Sequence, residues 1–179
     1  DSGYNVWKVD DELRLTTASL QEHPICGGTC TDDSHSNEVW KGISDLTTIT
    51  SDGNYFLTDN VDLKSTWVCK YNVKLCLNGF TITGASGYDA IKVYEDKSLD
   101  ITDCAVTADK VGKITHESGS GLGINVNGTL TLWNGTITGN KGSNGGGVFV
   151  NADGTFIMNG GAITGNNANG NGGGVCLNQ

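Results

Sequence analysis

The chain has almost no arginine and almost no proline: Arg14 and Pro24 stand alone among 179 residues. It has no apolar run of the roughly 18 residues that a membrane-spanning helix needs, so membrane insertion of this segment is excluded. It lacks a sustained 3.6-residue apolar period, and glycine interrupts nearly every window, which excludes long helices. It lacks net positive charge. At −9 it gains nothing from the phosphate neutralisation that drives nucleic-acid binding, so nucleic-acid partners are excluded as well. Apolar residues make up only 36%, low for a compact globule. Disorder is still a poor reading, because Val, Ile, Leu, Thr, Trp and Tyr recur throughout and favour strands.

What the chain does have is glycine, 27 of them, arranged with a period. Ile137-Thr-Gly-Asn140 returns as Ile163-Thr-Gly-Asn166, 26 residues on. Gly145-Gly-Gly-Val148 returns as Gly172-Gly-Gly-Val175, 27 residues on, and follows Gly121-Leu-Gly-Ile124 by 24. Each unit holds three short apolar pieces. Gly147–Val150 matches Ala90–Val93, Gly123–Val126 and Gly174–Leu177. Thr155–Met158 matches Ser98–Ile101 and Thr129–Leu132. Ala162–Thr164 matches Thr81–Thr83, Lys113–Thr115 and Thr136–Thr138. Within each piece apolar residues alternate with small or polar ones, the period of a strand. Leu130 with Leu132, and Phe156 with Met158, are expected to point inward, and Thr131 outward.

Three short strands per 24–27 residues, separated by Asn-Gly, Asp-Gly and Gly-Gly, predict an all-β fold. The architecture is a right-handed parallel β-helix over residues 46–179 that ends in an incomplete coil. Residues 103–112 are an insertion between the second and third strands of a coil. Residues 1–45 lack the repeat and are expected to form an irregular N-terminal cap, because an open solenoid end exposes core and unpaired strand edges. Glycine and asparagine tolerate positive φ and turn the corners, where Asn78, Asn134 and Asn159 recur, in a ladder if they stack.

Read in order, His23-Pro-Ile-Cys-Gly-Gly28, Val39-Trp40, Gly53–Thr58, Leu75-Cys-Leu-Asn-Gly79, Gly112–His116 and the Gly-Gly-Gly-Val repeats resemble a known group. They are similar to the large right-handed parallel β-helix surface proteins of gut-dwelling Gram-positive bacteria. The resemblance covers about residues 20–179. It implies a secreted or wall-displayed protein with a pectin-lyase-like fold, and no defined reaction.

A catalytic site is not expected. The one arginine lies outside the repeat, and the carboxylates of the coils recur at no equivalent strand positions, whereas fold-related hydrolases need two or three at close range. Two further constellations remain. His23, Cys26, Cys30 and His35 carry the nitrogen and sulfur donors of a structural zinc site, but a disulfide is the preferred reading there. Six cysteines in an Asn-, Thr- and Gly-rich chain point to an oxidising, extracellular location, with a leader removed ahead of Asp1. Cys26, Cys30, Cys69, Cys76 and Cys104 are the disulfide candidates, and Cys76 and Cys104 lie one coil apart, where they could stack and bond. No cofactor is expected, with structural zinc, or calcium in the Ser51–Asn54 and Asn151–Gly154 turns, as the alternative.

The function this predicts is non-catalytic: an extracellular structural or adhesive segment of a bacterial cell-surface protein. Its partners are other copies or further repeats, stacked head to tail through the edge formed by Gly174, Val175, Cys176 and Leu177. The alternative is a carbohydrate-binding or polysaccharide-degrading module that takes host or plant glycans. It rests on Tyr88, Tyr94, Trp133 and Phe149 lying near the outer surface, although packing beneath a loop or against the next element is the preferred reading of these aromatics.

Overall fold

The computed structural model describes the backbone of residues 4–9, 12–17, 20–21, 40–104 and 110–178, and side chains from Trp40 onward within those ranges. The fold is all-β and built from stacked parallel strands, as the repeat predicts. The N-terminal segment is less irregular than expected. Strands β1 (Tyr4–Val9) and β2 (Glu12–Thr17) form an antiparallel hairpin, and β3 (Leu20–Gln21) pairs antiparallel with β4 (Trp40–Ile43). Strand β4 already lies on the solenoid, in parallel register with β5 (Gly53–Leu57). The coiled part therefore takes in Trp40–Ile43, which the sequence pattern assigns to the cap.

The coils follow in chain order. After β5 come β6 (Val61–Asp62) and β7 (Trp67–Cys69), then β8 (Val73–Cys76), β9 (Thr81–Thr83) and β10 (Ile91–Val93). Next are β11 (Ser98–Thr102), β12 (Lys113–Thr115) and β13 (Ile124–Val126), then β14 (Thr129–Leu132), β15 (Thr136–Thr138), β16 (Lys141–Gly142) and β17 (Val148–Val150). The last are β18 (Thr155–Met158), β19 (Ala162–Thr164), β20 (Asn167–Ala168) and β21 (Val175–Leu177). Each strand pairs with its equivalent one coil away. This gives three long sheets, ordered β18-β14-β11-β8-β5-β4-β3, β19-β15-β12-β9-β6 and β21-β17-β13-β10-β7. The last two full turns add a fourth contact, β16 on β20, where Gly142 and Ala168 let the chain pass close to itself.

Register alone explains the core. Leu99 pairs with Leu130 and Ile101 with Leu132; Ile114 pairs with Ile137, and Ile124 with Ile91 and Val148. All of these are fully buried. Removing each such side chain from water contributes about 1.5–3 kcal/mol, and stacking like on like lets one coil serve as template for the next. At the N-terminal end a short 3₁₀ turn, Leu46–Thr48, inserts Leu46 into this core beside Ile43 and Ile49. The Asp45 carboxylate caps that turn by accepting from the Thr47 N–H at 2.8 Å.

Burial adds detail to three expectations. Thr131 lies on the outer row of its sheet, between Asp100 and Ile157 in the ladder, but is buried. Phe156 and Met158 stand at inward register, opposite Leu130 and Leu132, yet Phe156 is only half-buried and Met158 is 47% exposed. No coil covers that end of the described chain. Trp133 is half-buried and follows the packing reading. It packs with Cys104 against Trp40, Phe56 and Cys76 in a second apolar cluster separate from the main core.

Candidate functional site

The zinc-or-disulfide quartet His23, Cys26, Cys30 and His35 lies outside the described residues. Among the described residues no disulfide occurs and no three metal-ligating side chains come together. Cys69 is fully buried, its Sγ donates to the Tyr71 carbonyl oxygen at 3.3 Å, and burial pushes the thiol up to about 11. Among the described residues it meets no other cysteine, and its neighbour across the ladder is Val93. Cys76 and Cys104 do meet: Cys76 Sγ donates to Cys104 Sγ at 3.0 Å, and no disulfide joins the two. The two turns suggested for calcium are held by side-chain amides. Asp52 accepts from Asn72 through both backbone and side chain at 3.0 Å, which holds its carboxyl below the usual carboxylate range. Asn151 donates to the side chains of Asn125 and Asn127 at 2.7 and 2.8 Å.

The most organised polar feature was not singled out by sequence. His116, at the end of the third strand of its coil, is buried to 4% exposure. Its Nε2 lies 3.0 Å from the Tyr88 carbonyl oxygen, and its Nδ1 lies 2.8 Å from Asn140 Oδ1. The Asn140 amide nitrogen donates to the carbonyls of Ile114 and Thr138 at 3.1 Å and to Asn166 Oδ1 at 2.9 Å, which fixes Oδ1 as the acceptor facing the ring. Asn166 in turn donates to the Ile137 carbonyl at 2.8 Å. Both ring nitrogens thus face oxygen atoms, which fixes the ring's orientation. Gly84 and Gly121 flank the ring, and a Cβ at either position would overlap His116 Nε2. The signal was present in the repeat: Ile114-Thr-His116 stands where Ile137-Thr-Gly-Asn140 and Ile163-Thr-Gly-Asn166 stand one and two coils on.

This polar column supports a surface groove. Through the Tyr88 carbonyl it anchors the turn that carries Tyr88 and Asp89. The groove encloses about 420 Å³ and is lined by Tyr88, Asp89, Asn125, Lys141, Asn144 and Phe149, among others. Tyr88 is 52% exposed. Asn125 Nδ2 donates to Asp89 Oδ2 at 2.9 Å, so the carboxylate and amide are held in fixed orientation. Among the described lining residues Asp89 is the sole carboxylate.

A second polar feature shapes a corner. Asp103 accepts from the Gly79 N–H at 2.8 Å and from the Gly112 N–H at 2.7 Å, closing the base of the insertion after β11. Asn78 and Asn134 each send a side-chain amide to a carbonyl of the previous coil, on Leu57 at 3.0 Å and Asp103 at 2.9 Å. Asn78 and Asn134 therefore have a structural role, and Asn78 adopts φ 51°.

The predicted assembly edge is accessible. Val175 is 38% exposed, Leu177 is 63% exposed, and Gly174 and Cys176 are half-buried. Strand β21 pairs with β17 on one side and forms the end of its sheet. The fold and these sites define a parallel β-solenoid. No known family model, curated protein or solved structure matches the chain.

Proposed function

We propose that this chain is a non-catalytic structural or adhesive segment of an extracellular bacterial surface protein, and that its last coil docks a further coil of the same kind. One observation carries the reading. The terminal coil leaves Val175 and Leu177 exposed at core register, and residues 154–178 contain no Asp, Glu, Lys or Arg. Solvent-facing strand edges are ordinarily protected by charge, proline or a bulge, and an edge without such protection is built to be covered. An added coil would bury these side chains and pair the open ladders of β18, β19 and β21. At the other end of the described coils Leu46 and Ile49 fill the core, and antiparallel β3 ends one sheet. The cysteine content and the resemblance to bacterial surface β-helices support the extracellular assignment.

Sedimentation velocity over a wide concentration range tests the proposal. The chain is expected to self-associate reversibly through this edge, and Leu177→Lys together with Phe156→Lys to leave it monomeric. A chain that stays monomeric at high concentration, or association unchanged by these lysines, would overturn it.

A second reading is favoured by the groove. Exposed Tyr88 beside the oriented Asp89 and Asn125 suits stacking and hydrogen bonding of a sugar ring. Binding fits better than cleavage, since hydrolysis calls on two carboxylates and the described lining supplies one. A glycan array with Tyr88→Ala as control discriminates: signal lost in the variant supports this reading, and an array without signal removes it.

A further inference from the structure

We infer that Cys76 and Cys104 are an oxidation site, a dithiol that takes up a disulfide-bearing oxidant and closes into a cystine joining two successive coils. The placement comes from the register. Strands β8 and β11 are parallel neighbours with Cys76 opposite Thr102, and the chain then turns through Asp103 so that Cys104 Sγ returns to 3.0 Å from Cys76 Sγ. The Asp103 carboxylate, bound by the N–H groups of Gly79 and Gly112, fixes that turn. Bond formation needs the sulfurs to close from contact to about 2.05 Å. Rotation about the two Cα–Cβ bonds moves the sulfurs and leaves the backbone ladder paired.

The two thiols are unequal, which sets the order of events. Cys104 is half-exposed, whereas Cys76 is fully buried. The Cys76 thiol is held strongly protonated, first by its hydrogen bond with Cys104 and then by burial. Cys104 therefore reacts first. It loses its proton, and its thiolate attacks one sulfur of the donor disulfide. The donor S–S bond breaks, one donor thiol leaves, and a mixed disulfide remains on Cys104. Cys76 then deprotonates and attacks Cys104 Sγ, expelling the second donor thiol. Two protein thiols are oxidised to one cystine, and one donor disulfide is reduced to two thiols, so electrons and protons balance. The cross-link closes a loop across a sequence separation of 28 and restricts the unfolded chain most, so it raises thermal stability.

The test uses the full chain with oxidised glutathione as donor, followed by thiol blocking, proteolysis without reductant and mass spectrometry. The expected result is a linked peptide containing Cys76 and Cys104, with a rise in melting temperature of several degrees that dithiothreitol reverses. Cys104→Ser and Cys76→Ser should each abolish that rise, and Cys69→Ser should keep it. Linkage of Cys104 to another cysteine, a glutathione adduct that persists on Cys104, or both thiols remaining open to alkylation after oxidation would each overturn the inference. Mapping the unmutated chain decides the matter even if a serine variant fails to fold.

Discussion

His116 shows how much one side chain organises when it is enclosed. Its ring joins the Tyr88 turn to the asparagine column of the next two coils, and two glycines make room for it. Gly121 is the sharper test of the pair. A methyl group there meets both the ring and the Tyr88 carbonyl, and it is held by the antiparallel contact of Gly121 with Lys141. Neither neighbour is a flexible side-chain end. Gly121→Ala is therefore expected to lower stability by about 1–3 kcal/mol, the usual cost of overpacking. It should also loosen the Tyr88 turn. Urea denaturation measures the first effect, and faster exchange of the Tyr88 amide, which donates to the Ala85 carbonyl at 3.1 Å, reports the second. By contrast Gly87, at φ 85° with open space around it, is needed for its backbone conformation alone.

At the scale of the strand, energetics follow position in the stack rather than residue type. Leu130 lies between Leu99 and Phe156 and is fully buried; Phe156 occupies the same inward row one coil later and is covered on one side. Leu130→Ala should cost about 2–5 kcal/mol, and Phe156→Ala, despite removing the larger side chain, less than about 2 kcal/mol. Equal losses in chemical denaturation would mean that the terminal coil is covered in solution. The same positional logic explains what was legible beforehand. Alternation in Thr129–Leu132 and its equivalents, punctuated by Asn-Gly, suffices to give strands, sheets and core, because a one-residue slip would turn every apolar side chain outward. The hairpin of β1 and β2 was not legible, since it has no repeat partner. Neither were His116 and Asp103. Each is a single polar residue standing where the repeat has another type, and its role depends on contacts with residues about 9 to 28 positions away.

The two ends of the described coils differ. One end of the core is filled by Leu46 and its 3₁₀ turn, and the other presents an uncharged ladder. In a solenoid each coil contacts only its neighbours, so stability is approximately a sum of coil terms and interface terms. A coil with two interfaces is held about twice as firmly as one with a single interface, and opening should begin at the unprotected end. Hydrogen exchange resolved by peptide is expected to show protection rising from β18–β21 through β14 and β17 to a maximum at β8 and β11. Those two strands gain further if Cys76 and Cys104 are joined. Under conditions of self-association the same measurement carries more information. If the last coil docks a further coil, protection of β18, β19 and β21 should rise with concentration toward that of the interior, while β8 and β11 stay unchanged. Protection that instead rises with concentration around Tyr88 and Phe149 would place the contact on the grooved side, and the open end would then have no part in assembly.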